Sequence, residues 1–108
     1  MLDIYYADPL TVILPRNPER LEFAASIDLD THQSLAVLFD KGRRAGAGLA
    51  YFEDSLLKPT QILILLEVFA ANTRELAGNR QALAAVDMMR EIFERAVSRG
   101  VGLVAFAD

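Results

Sequence analysis

Five carboxylates stand just after segments that read as strands: Asp28 and Asp30, then Glu53 and Asp54, then Asp108. If those strands run parallel, their C-terminal ends share one edge, where parallel α/β folds place their binding sites. Such a rim can receive a basic surface or a divalent cation. Each acid also has a plain structural use: Asp30 as a helix cap, Asp54 in a loop, Asp108 as a solvated residue after the last strand. Phosphoryl chemistry at this edge would need a lysine following a strand to neutralise the phosphoryl group. Lys41 and Lys58, the only lysines, follow none.

The remaining chemistry-bearing residues are sparse. His32 is the only histidine, and a hydrolytic triad would have to join it to Ser26, Ser34, Ser55 or Ser98. None of these serines sits in a G-x-S-x-G elbow, and in the first turn of a helix His32 reads as a surface residue. GRRAGAG, residues 42–48, lies between a helix and a strand, the reverse of the order in which backbone N–H groups cradle phosphate. It reads as a helix end and a turn, with Arg43 and Arg44 solvated. Tyr5, Tyr6, Tyr51 and Phe52 lie in or near strands, where aromatic residues pack cores, although tyrosines also anchor interfaces. Tyr51, next to Glu53 and Asp54, is the aromatic candidate for partner binding.

Composition narrows the classes further. The 108 residues fit one domain, 1–108, since two halves would each be too small to stand alone. There is no cysteine, hence no disulfide framework and no thiolate metal site, and no cofactor is expected. The formal charge is −4, and the basic residues are dispersed apart from Lys41, Arg43 and Arg44. Nucleic-acid binding needs a concentrated basic face and is disfavoured; a basic protein partner suits an acidic chain better. The apolar run Ile62 to Leu66 is far short of the roughly 20 residues that span a membrane, and MLDIYYADP carries no secretory pattern. A cytoplasmic location is the expectation.

The elements that must position these residues follow from periodicity. Leu2 to Ala7 alternates as a half-buried strand. Thr11 to Leu14 reads as a second strand, turned by PRNPER into a third at Leu21 to Ile27. Asp30 as N-cap opens a helix from about Thr31 to Ala45, with Asp40 and Arg44 paired outside. Leu49 to Phe52 reads as a short strand. Pro59 to Ala77 is a helix apolar nearly all round, so it should be buried on more than one side. Gly78 and Asn79 separate it from an amphipathic helix, Arg80 to Arg99, closed by Gly100. VGLVAFA, residues 101–107, is a continuous apolar strand, as expected of one covered on both faces.

The order β-β-β-α-β-α-α-β predicts an α/β (or α+β) fold. It would be a mixed sheet of about five strands with three helices, the last three strands parallel through right-handed crossovers.

LAYFEDSLLKPTQILILLEVF, residues 49–69, joins a short strand ending in Phe-Glu-Asp to a Pro-opened apolar helix. With the closing SRGVGLVAFAD it resembles the small acidic immunity proteins of bacterial polymorphic toxin and contact-dependent growth inhibition systems. The likeness covers about the last sixty residues, and those proteins share no universal motif. It implies a non-catalytic cytoplasmic inhibitor that binds one cognate toxin domain, often a nuclease, and blocks its active site or substrate surface. The acidity and the lack of catalytic parts agree. The expected partner-binding set is Asp28, Asp30, Tyr51, Glu53, Asp54 and Asp108. Alternatives are a homodimeric adaptor using the spare apolar face of the 59–77 helix, or a small metal-dependent enzyme.

Overall fold

The computed structural model describes residues 1–107, so the expectation at Asp108 lies outside the described residues. In chain order the elements are β1 (Leu2–Ala7), β2 (Glu22–Ile27), α1 (Leu29–Ser34), α2 (Ala36–Arg44), β3 (Ser55–Leu57), α3 (Pro59–Asn72), a 3₁₀ turn (Thr73–Leu76), α4 (Arg80–Arg99) and β4 (Gly102–Ala107). The fold is mixed α/β, but the sheet has four strands in the order β2-β1-β4-β3. Every pairing in it is antiparallel.

The expectation of three parallel strands is therefore overturned, and the reason is one of parity. A single helix between two strands returns the chain to its starting end and makes them parallel. Here two long helices, α3 and α4, lie between β3 and β4, so the chain arrives at the opposite end and β4 runs against β3. Between β2 and β3 the helical path is also double, followed by ten irregular residues, 45–54.

Three local expectations fail for identifiable causes. Thr11 to Leu14 forms no strand. Asp8 turns the chain at once, its Oδ1 accepting from the Leu10 N–H (2.8 Å) and its carbonyl from the Thr11 N–H (3.0 Å), and Pro15 lacks the N–H a ladder requires. The single helix over 31–45 is two helices jointed at Leu35 (φ −108°, ψ 11°). Beside the joint the Ser34 hydroxyl donates to the Thr31 carbonyl, competing with the helical ladder. Leu49 to Phe52 forms no strand either. Gly46, at φ 102°, turns the chain, and the Leu49 carbonyl accepts from His32 instead of a neighbouring strand.

The longer elements follow their sequence signals, except that the helix expected to run to Ala77 ends at Asn72, where the Asn72 and Thr73 side chains donate to the Val68 and Phe69 carbonyls and the chain tightens into the 3₁₀ turn. In α4 the Asn79 side chain accepts from the Ala82 N–H, and Gly100 (φ 67°) gives the left-handed end. Gly102 is required where β3 meets β4, since a Cβ there would stand 2.8 Å from the Leu57 carbonyl oxygen. The largely apolar α3 packs on β3 and β4 and between α2 and α4, burying Ile62, Leu65 and Phe69. Leu63 stays 45% exposed. Among the described residues no helix is long and apolar enough to cross a membrane.

Because Phe69 is fully buried and Leu63 is not, truncating the two should separate cleanly. Phe69→Ala is expected to lose about 3–5 kcal/mol of unfolding free energy in urea titrations. Leu63→Ala should stay within about 0.5 kcal/mol of the parent. Equal losses would mean that α3 buries a different face.

Candidate functional site

A concavity of about 430 Å³ opens where α1 and α2 face the irregular segment 48–53. Its floor is aromatic. The His32 ring stacks on Phe39 at 4.4 Å between centroids and 9° between planes. Helical geometry brings them together: His32 and Phe39 are seven residues apart, two turns along one face, and the joint at Leu35 leaves that facing intact. On the other side the edge of Tyr51 meets His32 at 5.6 Å, and Phe52 meets Tyr51 at 5.0 Å. Phe52 itself is 76% exposed. Glu53 lines the mouth, and so does the ion pair of Asp40 with Arg43, 3.4 Å apart.

His32 Nε2 lies 2.8 Å from the Leu49 carbonyl oxygen. A carbonyl only accepts, so Nε2 carries the proton. This bond and the Phe39 stack hold the segment after Gly48 against the helices. His32 is thus a half-buried structural linchpin, not the surface residue its helical position predicted. Phe52, expected in or near a strand with core packing as the default, is instead the most exposed ring on the molecule.

The expected acidic rim is only partly assembled. Asp28 ends β2 and Asp54 precedes β3, so antiparallel pairing still puts both at one end of the sheet. However, β2 and β3 are the two outer strands, three spacings or about 14 Å apart. That exceeds the roughly 8 Å over which exposed charges act in physiological salt. Each also has its own backbone partner. Asp28, rather than Asp30, caps α1, accepting from the Thr31 N–H at 2.7 Å. Asp54 Oδ1 accepts from the Ala107 N–H at 2.8 Å and so extends the β3–β4 pairing. Asp30 is exposed in the first turn of α1. Of the expected set, the structure brings Tyr51 and Glu53 together in the cleft, and sequence reasoning missed His32, Phe39 and Phe52 as its walls. The signal was present in the i, i+7 spacing of His32 and Phe39 and in the charges that follow Phe52.

Among the described residues no group of three or more His, Asp and Glu side chains is placed to hold a metal ion. The expected outward pair of Asp40 with Arg44 is made instead with Arg43. Lys41 is taken up by Asn72 Oδ1 (2.8 Å) and by the Glu75 carboxylate, fixing α2 to the end of α3. The flat rings of the cleft suit an aromatic or cationic side chain, and among the described residues no nucleophile is hydrogen-bonded to His32.

Hydrogen bonding from Thr31 holds the Asp28 carboxyl below its usual pKa, and Arg99 does the same for Glu22. A carboxylate whose pKa falls on folding stabilises the protein above its unfolded value near 4, and the gain vanishes as pH drops through the folded value. The parent should therefore lose some urea resistance as pH falls below about 4. Asp28→Asn, which still caps the helix, should flatten that decline without abolishing it, because Glu22 remains. A pH profile identical to the parent's would show that the cap does not titrate with folding. Compared with protein-family models, curated proteins and solved structures, the chain matches none.

Proposed function

We propose that this chain is a non-catalytic immunity protein that neutralises a cognate bacterial toxin domain, with the aromatic cleft as its docking point. The observation that carries the reading is Phe52. A phenyl ring 76% exposed costs solubility, and here it stands on Tyr51 at the lip of a preformed cavity whose mouth carries Glu53. Exposed aromatic residues beside a pocket and ringed by charge are the usual composition of a binding hot spot.

The chemistry of the partner follows from the same residues. Tyr51, Phe52 and His32 line the cleft with aromatic rings, and Glu53 adds a carboxylate, while Asp40 is paired with Arg43. A lysine or arginine side chain entering there would gain cation–π and charge contacts together. With the net charge of −4, this favours a basic toxin surface, as a nuclease groove provides. The resemblance of residues 49–69 and 98–108 to immunity proteins supports the class, and the start of that stretch forms one wall of the cleft. A cytoplasmic site of action follows from the class.

Co-expression with the products of adjacent genes, followed by mass spectrometry of the purified chain, tests the reading directly. A toxin-like domain at a one-to-one ratio is the expected result. In that complex Phe52→Ala should weaken binding roughly 30-fold or more. Glu53→Lys should slow association roughly tenfold at low salt while leaving dissociation nearly unchanged. A complex indifferent to both substitutions would remove the cleft from the interface, and failure of any toxin to associate would remove the function.

A further inference from the structure

The cleft contains the one histidine of the chain, and the hydrogen bond it makes fixes where a second proton goes. His32 Nε2–H already donates to the Leu49 carbonyl oxygen at 2.8 Å. Protonation therefore falls on Nδ1. Among the described residues Nδ1 makes no hydrogen bond, yet it is not sealed from water, since the one buried side-chain nitrogen or oxygen without a partner is Arg90 Nε. A proton can reach Nδ1, and its arrival breaks no bond. The Leu49 contact and the Phe39 stack both survive it. His32 can thus gain a positive charge while the cleft keeps its shape.

Such a charge weighs heavily because the cleft holds few others. Its lining carries Asp40, Glu53 and Arg43. With Asp40 paired to Arg43, the Glu53 carboxylate is left in excess. The lining is therefore negative when His32 is neutral and balanced when His32 is protonated. The elements around α1 bring no further charge to this lining. On α1 itself Asp28 is held by the Thr31 N–H and Asp30 is exposed, and the Met1 amino group acts on Asp28. Where α4 meets α1 it sets Gln81, Ala84, Ala85 and Met88 beside Thr31, none of them charged.

We infer that His32 is a pH-operated charge switch in the cleft. Neutral, it leaves the site the negative charge that holds a cationic side chain; protonated, it cancels that charge and releases the cation. The inference rests on the reading of the cleft as a cation site. Carboxylates ordinarily titrate near pH 4, tyrosine near pH 10 and arginine above pH 12. Between pH 5 and pH 8 histidine is the side chain of this lining that changes charge. An imidazolium and a bound cation in one partly shielded cavity repel each other enough to cost roughly tenfold in affinity. No loop has to move, so the switch acts on charge alone.

NMR titration of the full chain with N-acetyl-argininamide, and with its uncharged citrulline analogue, tests it. At about pH 7.5 the arginine probe should shift the resonances of Tyr51, Phe52 and Glu53. At about pH 5.5 its dissociation constant should be roughly tenfold higher. The loss should follow the titration of the His32 ring protons read in the same samples, and the citrulline probe should show none. His32→Gln offers an amide N–H in place of Nε2–H but no titrating proton, so the ratio of affinities at the two pH values should approach one. Glu53→Gln should weaken binding at both and keep the ratio. Equal affinity at both pH values, a loss that persists in His32→Gln, or one out of step with the His32 titration overturns the switch. Should His32→Gln not fold, the comparison of affinity with His32 titration in the parent decides. An arginine probe that does not bind at about pH 7.5 overturns the switch and removes cation recognition from the cleft. The toxin-binding function is judged apart from it, by whether the co-expressed one-to-one complex forms.

Discussion

Three rings hold the helical layer together. Phe93 of α4 meets Phe69 of α3 edge-to-face at 5.3 Å and 90°, and Phe69 meets Phe39 of α2 at 5.4 Å and 64°. Phe69 and Phe93 are fully buried. Edge-to-face pairs add about 0.5–1.5 kcal/mol each beyond the area they bury, and their geometry fixes how the helices lie on one another. The column does not stop in the core. Phe39 stacks on His32, whose ring meets Tyr51, which in turn carries Phe52 into solvent. The outermost ring is therefore positioned by the innermost ones, and the cleft is preformed because its floor is the end of the core. A preformed site binds without first ordering its own loop, which is a large share of the cost of association.

The antiparallel sheet sets the second constraint. A parallel sheet is covered on both faces by its crossover helices, whereas an antiparallel one can leave a face open. Here α3 and α4 form one hairpin and return to the same side. On the other face Phe23 stays 54% exposed. The edge strand β2 is secured from the helix side instead. Arg99 donates to both Glu22 carboxylate oxygens, at 2.8 and 3.2 Å, and lies over the Tyr6 ring at 4.9 Å. Being solvent-exposed, this bidentate pair contributes modestly to stability, but it aims the edge strand and thereby the face that β2 shares with β1.

Legibility divided along a physical line. Elements whose local signals agreed with their packing could be read from sequence. The start and end of α4 are marked by Asn79 and Gly100, α3 by Pro59, and β1 by its alternation. Elements decided by long-range partners could not. Thr11 to Leu14 has β-branched residues but no strand to pair with, and Leu49 gave its carbonyl to a histidine seventeen residues away. The continuous apolar run of β4 has two possible origins, cover on both faces by helices or an open face that is itself apolar, and periodicity does not separate them. The cleft was half legible. Tyr51 and Glu53 stood out as aromatic beside acid, but a ring stack between residues 32 and 39 becomes visible only once both helices are seen to present one face across their joint.

The charge distribution decides which of these features would carry affinity. The chain is acidic, yet its carboxylates are largely spent locally. Asp28 caps a helix, Asp54 holds Ala107, Glu22 pairs with Arg99, Glu75 with Lys41, and Glu91 and Glu94 with arginines of their own helix. A carboxylate already engaged gives little to an incoming cation, because each new contact competes with an existing one. Glu53 makes no ion pair among the described residues and lies where a ligand would pass. The long-range field of the molecule would thus draw a basic partner in without choosing where it lands. The choice would fall to Phe52 and the rings behind it, where exposed apolar area, a cavity and the Glu53 carboxylate coincide.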